Sequence, residues 1–536
     1  MQRSSLVFGA ALGAFTSLAA IGLFRLGARV AGLPDLPLDL FDWLARILPG
    51  ALITASIDLM VTVITALRLG PTSAVAKLTE QLLALALFVL SGAAGGAVLA
   101  WLTSRLRQTD RRSLAIQGGL LAIPPAAAAL AVEAWLGFPA AGAAASGVWP
   151  LAILIGWGMA LGWFIAGAPP VEAAASPGVG LTRRSFLAAV GGGSLAVLAA
   201  GLGLDALLRP RRESAPAAAP SMGGTSGVAA SPPDETLTAR VEPAPGTRPE
   251  LTANEDFYRI DINTVPPTVE EATWRLELGG LVYSPLSLTL DEIRSRPSIS
   301  QVVTMQCISN RVGGDLTGTS LWTGVRLKDL LDEAGLAPGA QEVAIESADG
   351  FYESVDMDDM LDERTLLVYA MNGEPLPFEH GFPLRIYIPN RYGMKQPKWI
   401  TRMEVIGEEG PGYWVDRGWS AEAIANTTSV IDPKPSGLAP DASGILPIGG
   451  IAWAGARGIA KVEIQIDDGE WIAAELRNPP LSPLSWVQWR YDWMSTPGRH
   501  VVRVRAVDGA GEMQTAEIND PHPSGATGYH QRTIAA

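Results

Sequence analysis

The stretch VTMQCISNRVGG, residues 303–314, decides the interpretation of the second half of this sequence. Its apolar, β-branched start predicts a strand that ends at Cys307, and the polar and glycine residues that follow predict an open loop. A thiolate at a strand end, with Arg311 nearby, is suited to bind a metal or to attack an electrophile. The alternative is a small buried hydrophobic residue, a common role for a lone cysteine. No histidine lies close in sequence to act as its base, which disfavours a cysteine hydrolase.

Composition excludes several classes of function. The 536 residues include one cysteine, which excludes an intramolecular disulfide and any multi-cysteine metal or iron–sulfur site within this chain. The net charge of −14 is carried by the second half, and no basic face is visible, so nucleic acid is not expected as a partner. The first half contains no histidine, which excludes bis-histidine haem ligation there, and no haem is expected in this chain.

Residues 1–208 are rich in Ala, Leu and Gly with few charges, and they predict an all-α transmembrane bundle of about six helices. A helix needs about 20 apolar residues to cross a bilayer, because its backbone groups must be satisfied within the segment. Asp58 falls inside the second window, where it belongs either to a proton path or quinone pocket, or to a hydrogen bond inside the bundle. The windows are residues 6–24, 48–67, 83–102, 114–132, 149–166 and 186–204.

The distribution of arginine and lysine between these windows predicts the orientation. Arginine is frequent in the first, third and fifth loops, the second loop holds only Arg68 and Lys77, and the fourth has neither arginine nor lysine. Because cytoplasmic loops carry the excess of positive residues, we expect those three loops in the cytoplasm and everything after the sixth helix outside the cell membrane. The sequence LTRRSFL, residues 181–187, resembles a twin-arginine export signal, and an ordinary positive flank is the alternative. Both interpretations place the C-terminal half outside.

Three further segments follow the bundle. Residues 209–250 are rich in Ala, Pro, Ser and Gly and predict a flexible linker. Residues 251–426 mix strand patterns (301–305, 341–345, 384–388) with short helical patterns (327–334, 357–361), which predicts an α+β domain. Residues 427–536 alternate apolar and polar residues between Asp-Gly turns, which predicts an all-β, immunoglobulin-like sandwich.

Cations gather around one of the predicted strands. The sequences EHGFPLRIYIP (379–389) and YGMKQPKWI (392–400) bring His380, Arg385, Lys395 and Lys398 together with glycines and prolines. Hydrogen-bond donors of these kinds suit a phosphate-bearing or otherwise anionic cofactor. The alternative is a solvated basic face, but the glycines and prolines favour a binding loop.

Together these blocks resemble the molybdopterin-dependent oxidoreductases of the sulfite oxidase family, over residues 254–530. The Cys-x-x-Asn-Arg, His-Gly-Phe-Pro-x-Arg and terminal Pro-x-Gly-Ala-Thr-Gly-Tyr-His motifs carry the resemblance. It implies a molybdenum–molybdopterin cofactor, Cys307 as the metal ligand, and a C-terminal dimerisation domain that makes a homodimer possible. The cofactor-binding residues that it implies are Asn254, Phe257, Tyr258, Arg259, Ser347, Asp349, His380, Arg385, Gln396, Pro397 and Lys398.

Two departures from the family pattern concern the substrate. Where animal and plant sulfite oxidases have a second arginine after the one that matches Arg311, this sequence has Val312. Their active-site tyrosine aligns with Trp419. The resemblance therefore implies a less anion-selective pocket in which Arg311 orients an oxyanion or sulfoxide oxygen and Trp419 shapes the wall. These two residues and Cys307 are the predicted catalytic residues.

The function that the resemblance implies is two-electron oxygen-atom transfer at molybdenum in a membrane-anchored oxidoreductase. The substrate would be sulfite, a sulfoxide or another small molecule, and the direction of electron flow stays open. No cytochrome b5-like haem domain is recognised, so we expect the redox partner to be a separate cytochrome or a quinone. The alternative is a membrane-tethered binding or structural protein that keeps the fold without catalysis, and metal analysis would separate the two.

Overall fold

The computed structural model describes residues 2–106, 110–137, 142–169, 182–208 and 241–536. These residues form two units. The bundle unit contains the described residues of 1–48, 76–216 and 263–265, and the β-rich unit contains those of 49–75, 217–262 and 266–536. Most of the predicted linker, residues 209–240, lies outside the described residues, as does the first residue of the twin-arginine-like sequence.

The apolar N-terminal sequence forms long helices. Six of them are long and apolar enough to cross a membrane, and each overlaps one predicted window. The short helix after the first one was not predicted, and the fifth continues through two consecutive prolines. The helices are α1 (Gln2–Ala31), α2 (Leu36–Ile47), α3 (Gly50–Leu67), α4 (Thr72–Leu106), α5 (Arg111–Leu136), α6 (Ala143–Ala166) and α7 (Arg183–Leu208).

Small residues allow helices of the bundle unit to pack closely. A Cβ atom added to Gly118 of α5 would lie 2.0 Å from the carbonyl oxygen of Gly158 in α6. Glycine is therefore required where these two backbones touch, as is common between membrane helices. Asp58, one prediction for which was a hydrogen bond inside the bundle, lies in α3, which belongs to the β-rich unit.

The α+β part of the β-rich unit contains two sheets. The first has the strand order β2-β1-β10-β5-β6, in which β1 and β10 are parallel, and the second has the order β3-β4-β7-β8 with β9 paired to β7. The elements are β1 (Leu276–Gly280), β2 (Leu286–Leu288), α8 (Leu290–Arg294), β3 (Ile299–Gln306), β4 (Thr317–Arg326), α9 (Leu327–Ala334), β5 (Glu342–Ser347), β6 (Tyr352–Asp356), α10 (Met357–Met360), β7 (Leu366–Met371), β8 (Glu374–Pro375), β9 (Arg385–Tyr387) and β10 (Ile400–Ile406).

The C-terminal part is mostly β-structure, as predicted. Its two four-stranded sheets have the orders β11-β12-β16-β15 and β14-β13-β17-β18. The segments in which apolar and polar residues alternate form paired strands. Ile464 of β13 lies opposite Val504 of β17, and both side chains are buried. The immunoglobulin-like sandwich stays a prediction. The strands are β11 (Thr428–Ile431), β12 (Ile445–Trp453), β13 (Ile459–Ile466), β14 (Ile472–Ala473), β15 (Glu475–Leu476), β16 (Val487–Met494), β17 (Arg499–Asp508) and β18 (His530–Ala535).

Candidate functional site

Cys307 lies directly after β3, in the loop that its sequence predicts. Its backbone N–H donates to the Leu316 carbonyl (3.0 Å), and the Asn310 side-chain oxygen accepts from the Leu316 N–H (3.0 Å), so the loop is fixed at both ends. The Cys307 Sγ lies 3.0 Å from the Ser309 Oγ. The cysteine is buried, and burial raises the pKa of its thiol. A buried thiol becomes a thiolate readily only beside positive charge, such as a bound metal.

Two tyrosines and a lysine lie in the electrostatic neighbourhood of Cys307. Burial raises the pKa of Tyr258 well above its usual range and that of Tyr392 to about 12, and a charge on Cys307 adds to both effects. Lys398 acts in the opposite direction and lowers the pKa of the Cys307 thiol. The sequence predicts a site in the block 392–400 from its cations, and it does not predict Tyr392 as a site residue.

Aromatic rings line the side of the site that holds the cations. Phe257 stacks on Tyr258 (5.3 Å between ring centroids) and meets the His380 ring edge-on at 5.5 Å. The Arg385 guanidinium lies 4.8 Å from the centroid of Trp322, and its Nη1 donates to the His380 carbonyl (3.0 Å). Trp322 was missed as a site residue because β4 reaches Arg385 of β9 through their common neighbour β7, and the local sequence does not reveal this pairing.

Gly381 makes the close approach of these cations possible. It has φ +114°, a backbone conformation that other residues rarely adopt. A Cβ atom at this position would lie 3.0 Å from the Lys398 Cβ and 3.1 Å from the Arg385 Cβ. The glycine of the His-Gly-Phe-Pro motif is therefore required for the two cations to share one wall of the site.

The buried cations are perturbed by their surroundings. Burial lowers the pKa of Arg385 to about 10 and that of Lys398 to about 8, although the Asp261 carboxylate, 3.3 Å from Lys398, opposes the second change. Burial also lowers the pKa of His380 to about 4, so its ring is neutral at pH 7. The His380 Nε2 lies 2.9 Å from the Asn254 carbonyl, which can only accept, so Nε2 carries the proton.

Lys395 does not belong to this cluster, although the sequence grouped it with the other three. Its Nζ donates to Glu353 Oε1 (2.7 Å) and to the Ser354 carbonyl (3.0 Å), in a buried ion pair. The charge of Lys395 is therefore neutralised within the fold, and Arg385 and Lys398 are left as the cations of the site.

Several predicted cofactor-binding atoms are buried and have no hydrogen-bond partner among the described residues: Ser347 Oγ, Arg385 Nε and Gln396 Oε1. A buried polar group without a partner costs about 1–3 kcal/mol. Such atoms therefore fit a polar group that binds here. Within the described ranges, no group of three or more His, Cys, Asp or Glu side chains could hold a metal ion. A metal at Cys307 would therefore need further ligands that such a group of side chains does not supply.

The remaining predicted cofactor residues lie on neighbouring segments. Arg259 Nε donates to Asp261 Oδ2 (2.6 Å), the same carboxylate that contacts Lys398. Asp349 Oδ1 accepts from the Phe351 N–H (3.0 Å) in the turn after β5. Two backbone hydrogen bonds tie neighbouring segments to the segment of Lys398. The Ala348 N–H, in the turn after β5, donates to the Trp399 carbonyl (2.9 Å), and the Ile386 N–H of β9 donates to the Pro397 carbonyl (3.2 Å).

The other two predicted catalytic residues differ in exposure. Trp419 is buried, meets the His522 ring edge-on at 5.0 Å, and belongs to the apolar cluster of Ile308 and Tyr392, which places it beside the cysteine loop. Arg311 is more exposed, and its Nη2 donates to Thr62 Oγ1 of α3 (3.1 Å). No feature of the sequence predicted that α3 would reach this loop.

Comparisons with known proteins give a matching family, two relatives and one solved structure. The family described as "Oxidoreductase molybdopterin binding domain" matches residues 262–414. An uncharacterized oxidoreductase, YuiH, from Bacillus subtilis is 32% identical over 32% of this chain and 84% of its own length. Sulfite oxidase from Gallus gallus is 30% identical over 54% of this chain and 71% of its own length. The structure of the sulfane dehydrogenase SoxCD from Paracoccus pantotrophus aligns with a TM-score of 0.46 and 23% identity, over 51% of this chain and 78% of that chain.

Proposed function

Because this chain belongs to the sulfite oxidase family and is a molybdenum-cofactor oxidoreductase, we propose that it is membrane-anchored and that Cys307 ligates its molybdenum. We further propose that the β-rich unit lies outside the cytoplasm, as the arginine distribution predicts. Six apolar helices long enough to cross a membrane support the anchoring.

The observation that carries the proposal is the convergence of buried donors beside one buried thiol. Arg385 and Lys398 are cations held in a low-dielectric wall, and the Arg385 Nε has no partner among the described residues. A phosphate or another anionic group would satisfy these donors with charge-assisted hydrogen bonds. Trp322, which meets Phe257 edge-on, covers the Arg385 guanidinium and excludes water from it, which strengthens those bonds.

The roles of the chain's residues follow from their places. The cofactor, when bound, supplies two-electron oxygen-atom transfer chemistry. Cys307 holds the metal, Arg385 and Lys398 neutralise the anionic part of the cofactor, and the neutral His380 donates from Nε2 to the Asn254 carbonyl and so fixes that segment. These contacts hold the cofactor in position and do not alter it chemically.

Two substrate classes are proposed. Sulfite follows from the name of the Gallus gallus relative. A neutral sulfoxide follows from Val312 and Trp419, which provide neither the second cation nor the phenol that would favour an anion. In both cases Arg311 orients the substrate oxygen and Trp419 forms the wall. The redox partner is a separate cytochrome or a quinone, and residues 427–536 form a homodimer contact.

The experiment replaces the proposed ligand. Cys307→Ser should abolish turnover while the protein keeps its fold and most of its pterin, because the donors that grip the cofactor remain. Ser300→Ala is the matched control: it lies on the same strand and removes a single hydroxyl that bonds to Thr323 (2.8 Å). Each purified full chain would be analysed for molybdenum, for pterin and for both sulfite oxidation and sulfoxide reduction.

Unchanged turnover in Cys307→Ser would exclude the ligand role. A natural chain that folds in a cofactor-producing host without molybdenum or pterin would contradict the placement of the cofactor at this site. The ratio of the two activities in the natural chain decides between the two substrate classes.

A further inference from the structure

The segments before and after α3 meet at the same three residues of the bundle unit. Before α3, Asp42 accepts hydrogen bonds from the Thr264 backbone N–H (3.0 Å) and hydroxyl (3.3 Å), and Arg46 Nη2 donates to Asn263 Oδ1 (2.7 Å). After α3, Lys77 Nζ donates to the Asn263 carbonyl (3.0 Å). A membrane-crossing helix of 18 residues would separate these flanks by about 27 Å. Because both flanks reach one short segment, α3 would begin and end on the same side of any membrane that the bundle unit crosses.

Within the β-rich unit, α3 runs along charged residues. At its start, a Cβ atom added to Gly50 would lie 2.7 Å from the Arg417 Cα, so the two backbones touch. Near its end, Thr62 accepts the hydrogen bond from Arg311. The two contacts are about 18 Å apart along the helix axis. If α3 crossed a bilayer, both arginines would be drawn towards hydrocarbon, which is strongly unfavourable for a guanidinium.

The side chains of α3 also argue against a helix that crosses the membrane. Asp58 lies at its midpoint, where a carboxylate in a membrane-crossing helix is strongly unfavourable. One face nevertheless exposes four large apolar side chains, Leu52 (51%), Leu59 (66%), Val63 (42%) and Leu67 (65%). The next apolar helix, α4, starts at Thr72, five residues after α3 ends, so this face stays close to the bilayer that α4 enters.

We propose that α3 is an interfacial helix, which lies along the lipid surface on the same side as the β-rich unit and buries Leu52, Leu59, Val63 and Leu67 in lipid. The proposal rests on the membrane anchoring proposed above. Five helices then cross the bilayer, and the β-rich unit remains opposite the third and fifth loops. The first loop changes sides relative to its predicted position. Through Thr62 and Arg311, α3 holds the loop of the proposed metal ligand at the lipid surface.

The first experiment measures the side of the membrane on which each flank lies. Single cysteines are introduced at Ile47, Leu69, Ser443 and Thr109 of the full chain, and intact cells are treated with a membrane-impermeant maleimide. Ile47 (51% exposed) and Leu69 (54% exposed) flank α3, Ser443 reports the β-rich unit, and Thr109 reports the third loop. Cys307 is 7% exposed, so the natural chain serves as the unlabelled control.

We expect Ile47→Cys, Leu69→Cys and Ser443→Cys to react alike, and Thr109→Cys to react only from the other side. Reaction of Ile47→Cys together with Thr109→Cys, opposite to Leu69→Cys, would mean that α3 crosses the bilayer and would overturn the inference alone. Release of the whole chain from membranes by alkaline carbonate would overturn the anchoring, and the inference with it.

A second experiment measures depth in the bilayer. Spin labels are attached to Leu52→Cys, Leu59→Cys and Leu67→Cys in lipid vesicles, and their collisions with oxygen and with a water-soluble nickel complex are compared. A helix along the surface gives all three labels a similar shallow depth. A membrane-crossing helix places the Leu59 label about 10 Å deeper than the other two, because each lies about two turns away. That depth profile, or full exposure of all three labels to water, would contradict the proposal.

Discussion

The replacement of Arg385 by methionine tests whether the site was built for an anion rather than for its own stability. Burial lowers the pKa of Arg385 to about 10 from its usual 12.5. At about 1.4 kcal/mol per pH unit, the charged side chain destabilises the cofactor-free fold by about 3 kcal/mol. Methionine removes this penalty, but it also removes the contact with Trp322 and the hydrogen bond to the His380 carbonyl, together worth about 2–4 kcal/mol.

We therefore expect the cofactor-free Arg385→Met protein to unfold within about 1 kcal/mol of the cofactor-free natural chain, because the opposing terms nearly cancel. The cofactor-loaded proteins should differ much more. A charge-assisted hydrogen bond contributes about 1.5–3 kcal/mol, so losing one or two of them weakens cofactor binding at least tenfold.

The assay compares molybdenum and pterin content with thermal unfolding, in cofactor-producing and cofactor-deficient hosts. Arg364→Met is the matched control, since Arg364 is an exposed arginine that pairs with Asp362 (2.7 Å). The reasoning would be refuted if Arg385→Met kept a full complement of pterin, or if its cofactor-free form lost as much stability as its loaded form.

Two other changes probe the same unit. Gly381→Ala should lower the pterin content severalfold, because the added Cβ atom would press on Lys398 and Arg385. The φ of +114° would also strain an alanine by about 1–2 kcal/mol. Pterin per chain is measured beside thermal unfolding, and the melting temperature should fall by only a few degrees. His530, whose pKa burial lowers to about 4, accepts a hydrogen bond from the Ile431 N–H through Nδ1, so the unfolded chain binds the proton first as pH falls. Stability should therefore decrease by about 2 kcal/mol from pH 8 to pH 5, and melting curves of His530→Gln should show a smaller loss over that interval; an equal loss would assign the pH dependence to other groups.

The sequence predicted elements whose signal is local. The strand before Cys307, the helices Leu327–Ala334 and Met357–Met360, and the apolar helices of the bundle unit all follow from periodicity and composition within one segment. The cations of the site were predicted for the same reason, because Arg385 and Lys398 lie in short motifs with glycine and proline.

The parts that could not be predicted depend on contacts between distant segments. Trp322 reaches Arg385 through strand pairing, Asp261 reaches Lys398 over more than a hundred residues of sequence, and Lys395 leaves the cluster because Glu353 neutralises it. Hydropathy predicts that α3 crosses a membrane like the other long apolar helices, because length and composition cannot distinguish a helix that crosses a membrane from one that lies on it.

The loop that follows Cys307 is where the separate parts of the β-rich unit act on one another. A Cβ atom added to Gly313 would lie 2.5 Å from His530 Nε2, so the C-terminal strands pack directly against one end of this loop. Arg311 donates to Thr62, so α3 contacts the same loop from another segment. The cations that would hold the cofactor approach from a third, since Lys398 lowers the pKa of the Cys307 thiol. A loop that is held from two directions and lies near a cation on a third is pre-organised, which fixes the geometry of a metal ligand more firmly than the loop sequence could alone. Arg385, which is proposed to bind an anion, is buried, whereas the Arg311 side chain is partly exposed, so substrate preference is expected to depend on the surroundings of Arg311, of which α3 is one.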